Sequence, residues 1–445
     1  MDNSSLPYDP RSVESIEKYA QRLIGHTLRE MTDAPKLQDP KRRRGSYGNA
    51  VEEYYFRYSP NSDPAPDFRE AGLELKTTPM KRNKNGSLVA KERMVITDIN
   101  YMTVIHEVFE RSHFLEKSSS ILLIAYLWKQ GQDLLDYQII LARKWRIPSE
   151  DMPQIKLDWE VVVAKVRTGH AEAISGSDTL YLEACTKAAD SSVRRPQPYS
   201  DVPAKPRAWA FKASYMTAIE SGMLNSQPIS RAAEERDMAL LELVRHHFSP
   251  YLNLTREELC SRFGINSHAK QATALITKRI LGVERSAEIA EFEKAGIAGT
   301  KTIRLLRSGR PAEAVSFPAF DYYELEQTPF EQSDLYRYLR SRWLFIVFRA
   351  DSSGSFRLSD VLFWQMPDSD IPEARRCYEQ MRRNVHEGHA EISVKPSENR
   401  CCHVRPHGRD AHDTLPQPHS SVPVVKKCFW LNQSYLQVEL EKASI

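Results

Sequence analysis

The sequence predicts an α/β fold, mixed sheets flanked by helices, laid down twice along one chain of 445 residues. Three observations carry that expectation. Short blocks recur in the same order at a separation of about 220 residues. Helix-period segments alternate with short β-branched runs. Composition is that of an ordinary globular protein, 41% apolar and 27% charged, which excludes wholesale disorder.

The repeats set the domain plan. RPQPYSDVP (195–203) returns as LPQPHSSVP (415–423), Ser214-Tyr215 as Ser434-Tyr435, and GHAE (169–172) as GHAE (388–391). Trp145, Pro148 and Pro153 keep step with Trp364, Pro367 and Pro372. KSSSILLIAY (117–126) parallels RSRWLFIVFR (340–349), and DFREAGL (67–73) parallels EFEKAGI (291–297). One short match is chance, whereas an ordered set with nearly constant offset is a duplication. The expected plan is a first copy over 1–220, a helical linker over 221–253 and a second copy over 254–445. In the linker, Ala233, Leu240, Leu241, Val244 and Phe248 recur at helical spacing from Ile229 to Phe248, with Ser230 as a possible N-cap.

Within the first copy, Ile16, Tyr19, Ala20, Leu23, Ile24 and Leu28 form one face of a helix over about 12–32. A second helix is expected over about 46–56. Leu73, Leu75 and Thr77 then alternate with Glu74, Lys76 and Thr78 as in a half-buried strand. Asn85-Gly86 signals a hairpin, with Val95–Ile99 as its return strand. Ile121–Trp128 and Tyr137–Leu141 read as strands, 150–168 as a helix and 178–185 as further β structure.

Several function classes are excluded or left bare. The longest apolar run, Ile121–Trp128, is far short of the roughly 18 residues of a membrane span. The opening residues have neither a basic nor an apolar signal region, so no secretion signal is expected. Six unevenly spread cysteines form no disulfide framework and fit a reducing cytosol, so a cytoplasmic location is expected. Net charge is only +3, from 62 basic and 59 acidic residues. Nucleic-acid binding would then rest on local clusters: Lys41–Arg44; Lys81, Arg82 and Lys84; Arg143, Lys144 and Arg146. Any one such run is equally a solvated surface. Cys401, Cys402, His403, His407 and His412 lie close together but lack the paired spacing of a zinc site.

The sharpest chemistry lies in PDFREAGLELK (66–76). On a strand, Glu74 and Lys76 project from one face, and a turn can bring Asp67 back beside Glu74. Two adjacent carboxylates repel, and a hard divalent cation relieves that repulsion. Such a cation activates water and offsets charge on a phosphate, while the Lys76 ammonium can orient the attacking water. A salt-bridged surface strand would carry the same spacing.

The surroundings add a family resemblance. Arg44, Gly45, Gly48 and Glu52, then Asp67 and Phe68, then Ala71, Gly72, Glu74, Leu75, Lys76, Thr77 and Pro79 resemble the MutH family. That family contains a mismatch-repair endonuclease nicking at GATC and type II restriction endonucleases cutting GATC. The doubled length resembles the restriction branch. The resemblance implies two MutH-like (restriction-endonuclease-like) domains, the second degenerate, and a Mg2+-dependent endonuclease acting on double-stranded DNA. It implies Asp67, Glu74 and Lys76 as the catalytic core, with Asp67, Glu74 and a helix carboxylate as metal ligands. Counted from Gly45 and Gly48, that carboxylate is Glu52; counted back from Asp67, it is Glu53. The glycine count is preferred. The family's further lysine falls on Lys117, which could equally be a surface lysine flanking a strand. Arg44, Lys187, Arg207 and Lys212 are the implied DNA contacts, with Trp209 and Phe211 read as core. Two departures touch base readout: the family's tyrosine near the adenine becomes Ala210, and an arginine becomes Cys185, with Lys187 as the nearest basic stand-in.

Aligned through Phe68 and Phe292, the second copy sets Glu291 against Asp67, Ala298 against Glu74 and Thr300 against Lys76, with Lys301 one place off. It therefore reads as an inactive DNA-binding or regulatory domain, or as a purely stabilising partner. The function expected is a restriction endonuclease with one active centre, with self-association of two chains on DNA carrying two sites. Its rivals are a repair nickase needing an activating partner and a non-catalytic DNA-binding protein.

Overall fold

In the computed structural model, which describes residues 6–33, 46–59, 65–83, 86–188, 190, 192–222 and 225–443, the first expected helix forms as two. Val13–Gln21 is capped by Ser12, and Leu28–Met31 by a Thr27–Glu30 capping box. The next helix, Ser46–Ala50, continues as a π-helical turn over Val51–Tyr55.

Among the described residues of the unit Met1–Asn225, nine strands follow: β1 (Glu74–Arg82), β2 (Leu88–Ala90), β3 (Met94–Asp98), β4 (Ile121–Leu127), β5 (Gln138–Trp145), β6 (Leu182–Thr186), β7 (Arg195–Gln197), β8 (Ser200–Ala204) and β9 (Arg207–Phe211). One sheet runs β2-β1-β4-β5, with β1 and β4 parallel and the other pairs antiparallel. Residues Ile121 to Ala125 of β4 are at most 1% exposed, as a strand covered on both faces requires. A second, antiparallel sheet runs β3-β9-β6, and β7-β8 is a hairpin. The return strand of the hairpin after β1 is β2, not Val95–Ile99. That later segment does form a strand, β3, but it pairs with β9. Asn85 lies outside the described residues.

The second unit, Ser226–Ile445, repeats the plan. Its strands are β10 (Ser226–Gln227), β11 (Glu288–Ile289), β12 (Ile297–Leu305), β13 (Val315–Ala319), β14 (Arg342–Ala350), β15 (Phe356–Trp364), β16 (Cys402–Pro406), β17 (Thr414–Gln417), β18 (Ser420–Val425) and β19 (Lys427–Leu431). β12-β14-β15 copies β1-β4-β5 with the same parallel pair, β13-β19-β16 copies β3-β9-β6, and β17-β18 copies β7-β8. β10 and β11 form a short parallel pair.

Buried polar contacts repeat as well. Tyr215 donates to Asp151 at 3.0 Å, and Tyr435 to Asp370 at 2.9 Å. Gln197 accepts from the Ala171 N–H, and Gln417 from that of Ala390. Gly169 and Gly388 adopt positive φ, and an added Cβ would strike the carbonyl oxygens of Tyr199 and His419 at 2.7 and 3.1 Å.

The segment expected as a linker is built differently. From Ser226 onward it belongs to the second unit, and only Leu240–Phe248 of the expected helix is α-helical. That helix packs on β15, through Arg245 to Asp360 at 3.1 Å and to the Val361 carbonyl. It takes the place that Val13–Gln21 takes on β5.

Candidate active site

A tight turn sets the first carboxylate. Phe68 and Leu73 exchange backbone hydrogen bonds of 2.9 and 3.2 Å, and Gly72 closes the turn at φ +60°, a conformation that costs glycine least. Phe68 is buried against Phe56 and Tyr8. Asp67 is thereby folded back, and its Oδ2 accepts the Leu75 N–H at 2.8 Å.

Glu74 opens β1 and is 4% exposed. Its Oε1 takes a hydrogen bond from Lys76 Nζ at 2.8 Å. Its Oε2 takes one from Lys117 Nζ at 3.1 Å. Lys117, in the last turn of His113–Ser118 and also buried, donates to the Ala65 carbonyl at 2.8 Å. It is thus inside the cluster rather than on a strand-flanking surface. Glu52 is half-buried in the π turn, and its carboxyl interacts electrostatically with Asp67, Lys76 and Glu74. Its neighbour Glu53 is exposed.

The electrostatics are those of crowded carboxylates. Burial, then the charge of Asp67, then that of Glu74, push the Glu52 carboxyl from 4.5 up to about 7, against the pull of Lys76. Asp67 is raised by burial and by Glu74. Three electrostatically coupled carboxylates offer the hard oxygen donors that a Mg2+-type cation takes, although their oxygens do not all lie within 4.8 Å of one another in this structure, and no thiol or imidazole joins them among the described residues to favour a softer metal. A pH dependence follows. A carboxyl with raised pKa binds its proton more tightly folded than unfolded, so the metal-free protein loses stability as pH rises from about 4.5 through 7. A hard divalent cation such as Mg2+ would need the ionised form, so affinity for it is expected to weaken as pH falls below about 7. Calorimetric titration of Mg2+ at several pH values should show this slope, and Glu52→Gln should flatten it.

Sequence reading missed one member of the cluster. The buried Tyr58 hydroxyl has no hydrogen-bond partner among the described residues. Burial, then the charges of Asp67 and Glu52, push its pKa far up. It is a neutral donor facing the carboxylates. The aromatic run at 54–58 was its only signal.

The implied DNA contacts separate. Arg44 lies outside the described residues. Lys187 is exposed and pairs with Asp98 at 2.6 Å. Arg207 is buried, not presented to solvent: its guanidinium donates to the carbonyls of Ala184 and Ile174. Lys212 is half-buried, with Nζ donating to the carbonyls of Gly176 and Thr179. Both brace the loop before β6 in this structure, because their stems emerge from the interior sheet and its end. Arg207→Met should therefore cost stability, by about 2–3 kcal/mol for the abandoned buried carbonyls. Chemical denaturation measures that cost, and DNA affinity of the folded fraction should hold. Trp209 and Phe211 are core, and Ala210 and Cys185 are packed in the β3-β9-β6 sheet. Cys401, Cys402 and His403 are likewise buried, with His403 bonded to Asn432.

Strand register corrects the alignment of the second copy. Trp145 pairs with Ile121, and its repeat Trp364 pairs with Trp343. Glu74 and Lys76 pair with Ile121 and Leu123, whereas Gly299 and Lys301 pair with Trp343 and Phe345. Gly299 therefore stands at Glu74's position and Lys301 at Lys76's. An irregularity between Ile297 and Gly299 absorbs the extra residue. Lys301 is on the same face as Lys76, not turned to the other. Its Nζ donates to the Ser316 carbonyl at 3.0 Å and lies over the Trp343 ring. Glu291, opposite Asp67, is buried and accepts the Ile229 N–H at 2.9 Å. Counting from the matching caps Ser112 and Ser333, Lys117 is replaced by Tyr338.

Comparison with known proteins agrees with this anatomy. A family model described as DNA mismatch repair enzyme MutH matches residues 56–158, which hold Asp67, Glu74, Lys76 and Lys117. The type II restriction enzyme Sau3AI of Staphylococcus aureus is 30% identical over a 485-residue alignment, covering 96% of this chain and 98% of that protein. The DNA mismatch repair protein MutH of Serratia proteamaculans (strain 568) is 26% identical, covering 48% of this chain and 95% of its own length. MutH of Enterobacter sp. (strain 638) is 28% identical over 41% of this chain and 78% of its own. The repair proteins thus match about one unit's worth of chain, and the restriction enzyme matches both. The chain belongs to the MutH family, in the double-length form of its type II restriction enzymes.

Proposed function

We propose that this chain is a Mg2+-dependent, cytoplasmic type II restriction endonuclease that hydrolyses double-stranded DNA at GATC, with one active centre, in its first unit. The observation that carries the reading is the convergence of Asp67, Glu74 and Glu52 with Lys76 and Lys117. Asp67, Glu74 and Glu52 would hold Mg2+, which when bound supplies Lewis-acid stabilisation of the phosphate and a more acidic water. Lys117 fixes the Glu74 carboxylate and the chain at Ala65. Lys76 is the less buried of the two lysines and is placed to orient water toward phosphorus and offset developing negative charge. Arg44 and Lys187 remain the candidate phosphate contacts; Lys187 would exchange Asp98 for DNA.

The second unit, with Gly299 where Glu74 stands, serves in this reading as a DNA-binding and regulatory domain without its own catalysis. The full-length likeness to a restriction enzyme favours double-strand cutting over repair nicking. Digesting plasmid with purified protein and Mg2+, then sequencing the ends, tests the assignment; ends outside GATC, or activity only with an added partner, would refute it. One centre per chain must also make two cuts. Two chains meeting on DNA should cut two-site plasmids faster per site than one-site plasmids, and a short target duplex added in trans should speed the latter. Equal rates per site would leave the second unit without that role.

A further inference from the structure

The second unit carries a chemical group that is not found among the described residues of the first. Glu326, His386 and His419 converge there, with their ligating atoms all within 4.8 Å of one another. Glu326 Oε1 lies 2.8 Å from His386 Nδ1 and 2.6 Å from His419 Nε2, and the imidazole rings are 5.3 Å apart at a steep angle. Three different elements supply them. Glu326 is on the helix Tyr322–Gln327, His386 ends the helix Ile371–His386, and His419 sits in the turn between β17 and β18.

The duplication gives an internal control. Tyr101 and Tyr322 both donate to a carbonyl just before the last strand of their unit, at Lys205 and Val425. This aligns Ile105 with Glu326. The helices Met152–Arg167 and Ile371–His386 are both 16 residues long and align Arg167 with His386. The matched hairpins align Tyr199 with His419, both at positive φ. The first unit therefore has Ile, Arg and Tyr at three scaffold positions where the second has Glu, His and His. Nothing in the fold requires ligating side chains there, since the same backbone forms without them.

We infer that Glu326, His386 and His419 form a binding site for a borderline transition metal, with Zn2+ the fitting ion. Two neutral imidazoles and one carboxylate are the donor set of an open three-ligand zinc centre. A Zn–N distance of about 2.1 Å places tetrahedral donors about 3.4 Å apart, so the Glu326 oxygen must back away slightly from the two imidazoles, which stand at 2.8 and 2.6 Å, while all the ligating atoms already lie within 4.8 Å of one another. Gly388 packs against the His419 backbone carbonyl, as Gly169 packs against that of Tyr199, so the turn that presents residue 419 belongs to the shared scaffold. The ion clips the β17-β18 hairpin to two helices. This site is chemically distinct from the all-carboxylate centre of the first unit, since imidazole selects Zn2+ where carboxylates accept Mg2+.

The test uses the full chain, stripped with chelator and then kept in excess Mg2+ to fill hard-oxygen sites. Zn2+ is titrated against a fluorescent chelator, and hydrogen exchange is followed over 414–425. The expected result is one Zn2+ bound per chain at micromolar affinity or tighter, with slowed exchange in the hairpin. The double variant His386→Arg, His419→Tyr places there the residue types of the first unit, which that backbone already accommodates. It should lose the binding and the slowing together. Equal Zn2+ binding by both proteins, or none by either, overturns the assignment.

Discussion

Glu74→Gln should reduce DNA cleavage on the order of 10³-fold or more while changing specific DNA affinity by only a few-fold. The size follows from where Glu74 sits. It is the carboxylate on which both lysines converge, with Lys76 at 2.8 Å and Lys117 at 3.1 Å, and it lies beside Asp67. Losing its charge removes a proposed metal ligand and releases both ammonium groups at once. Glutamine is the better replacement because alanine would leave the buried Lys117 ammonium with neither charge nor acceptor at this position, whereas glutamine removes only the charge. An amide oxygen keeps an acceptor in place. Asp67→Asn and Lys76→Ala should show the same split between cutting and binding. Cleavage and binding measured on the same preparation, with a thermal melt to show intact folding, decide the matter. Near-normal cutting by Glu74→Gln would move the chemistry elsewhere.

Much of this centre was legible because it is local. The turn between Asp67 and Glu74 lies within eight residues, and its glycine, its strand alternation and its buried Leu73 and Leu75 are all in one stretch of sequence. Pairing across the chain was not legible. The Val95–Ile99 segment has the pattern of a strand, but pattern does not name a partner; adjacency pointed to β1, whereas β3 pairs with β9. Arg207 and Lys212 looked like a basic surface because charge is visible in sequence and burial is not. Their partners are backbone carbonyls, which leave no sequence signal. In the second unit the irregularity at Ile297–Gly299 shifts register by one residue, enough to misassign every side chain beyond it. The linker helix failed for a related reason: its apolar spacing marks a face packed on a sheet, and β15 supplies that sheet inside the second unit.

The second large effect concerns Glu52 and Glu53. Glu52→Gln should lower cleavage by on the order of 10²-fold or more, whereas Glu53→Gln should leave it within a few-fold. The two residues are adjacent, so composition, local charge and helix propensity change equally in both variants. What differs is direction. Glu52 is half-buried and coupled to Asp67 and Glu74, and Glu53 is exposed. The sequence left this choice open because counting from the glycines and counting back from Asp67 disagreed by one residue. The π-helical turn over Val51–Tyr55 supplies a physical place for that residue. A π turn accommodates one more residue than an α turn and is frequent at functional sites. Gly48 remains close to β1, its added Cβ 3.4 Å from the Thr77 hydroxyl, so the helix is anchored before the turn widens. The count from the glycines therefore keeps its register through Glu52, and the extra residue is taken up beyond it. Mg2+ titration separates the roles further: Glu52→Gln should raise the Mg2+ needed for half-maximal cutting, and Glu53→Gln should not. The reverse pattern would place the widened turn ahead of the ligand and put Glu53 on the metal.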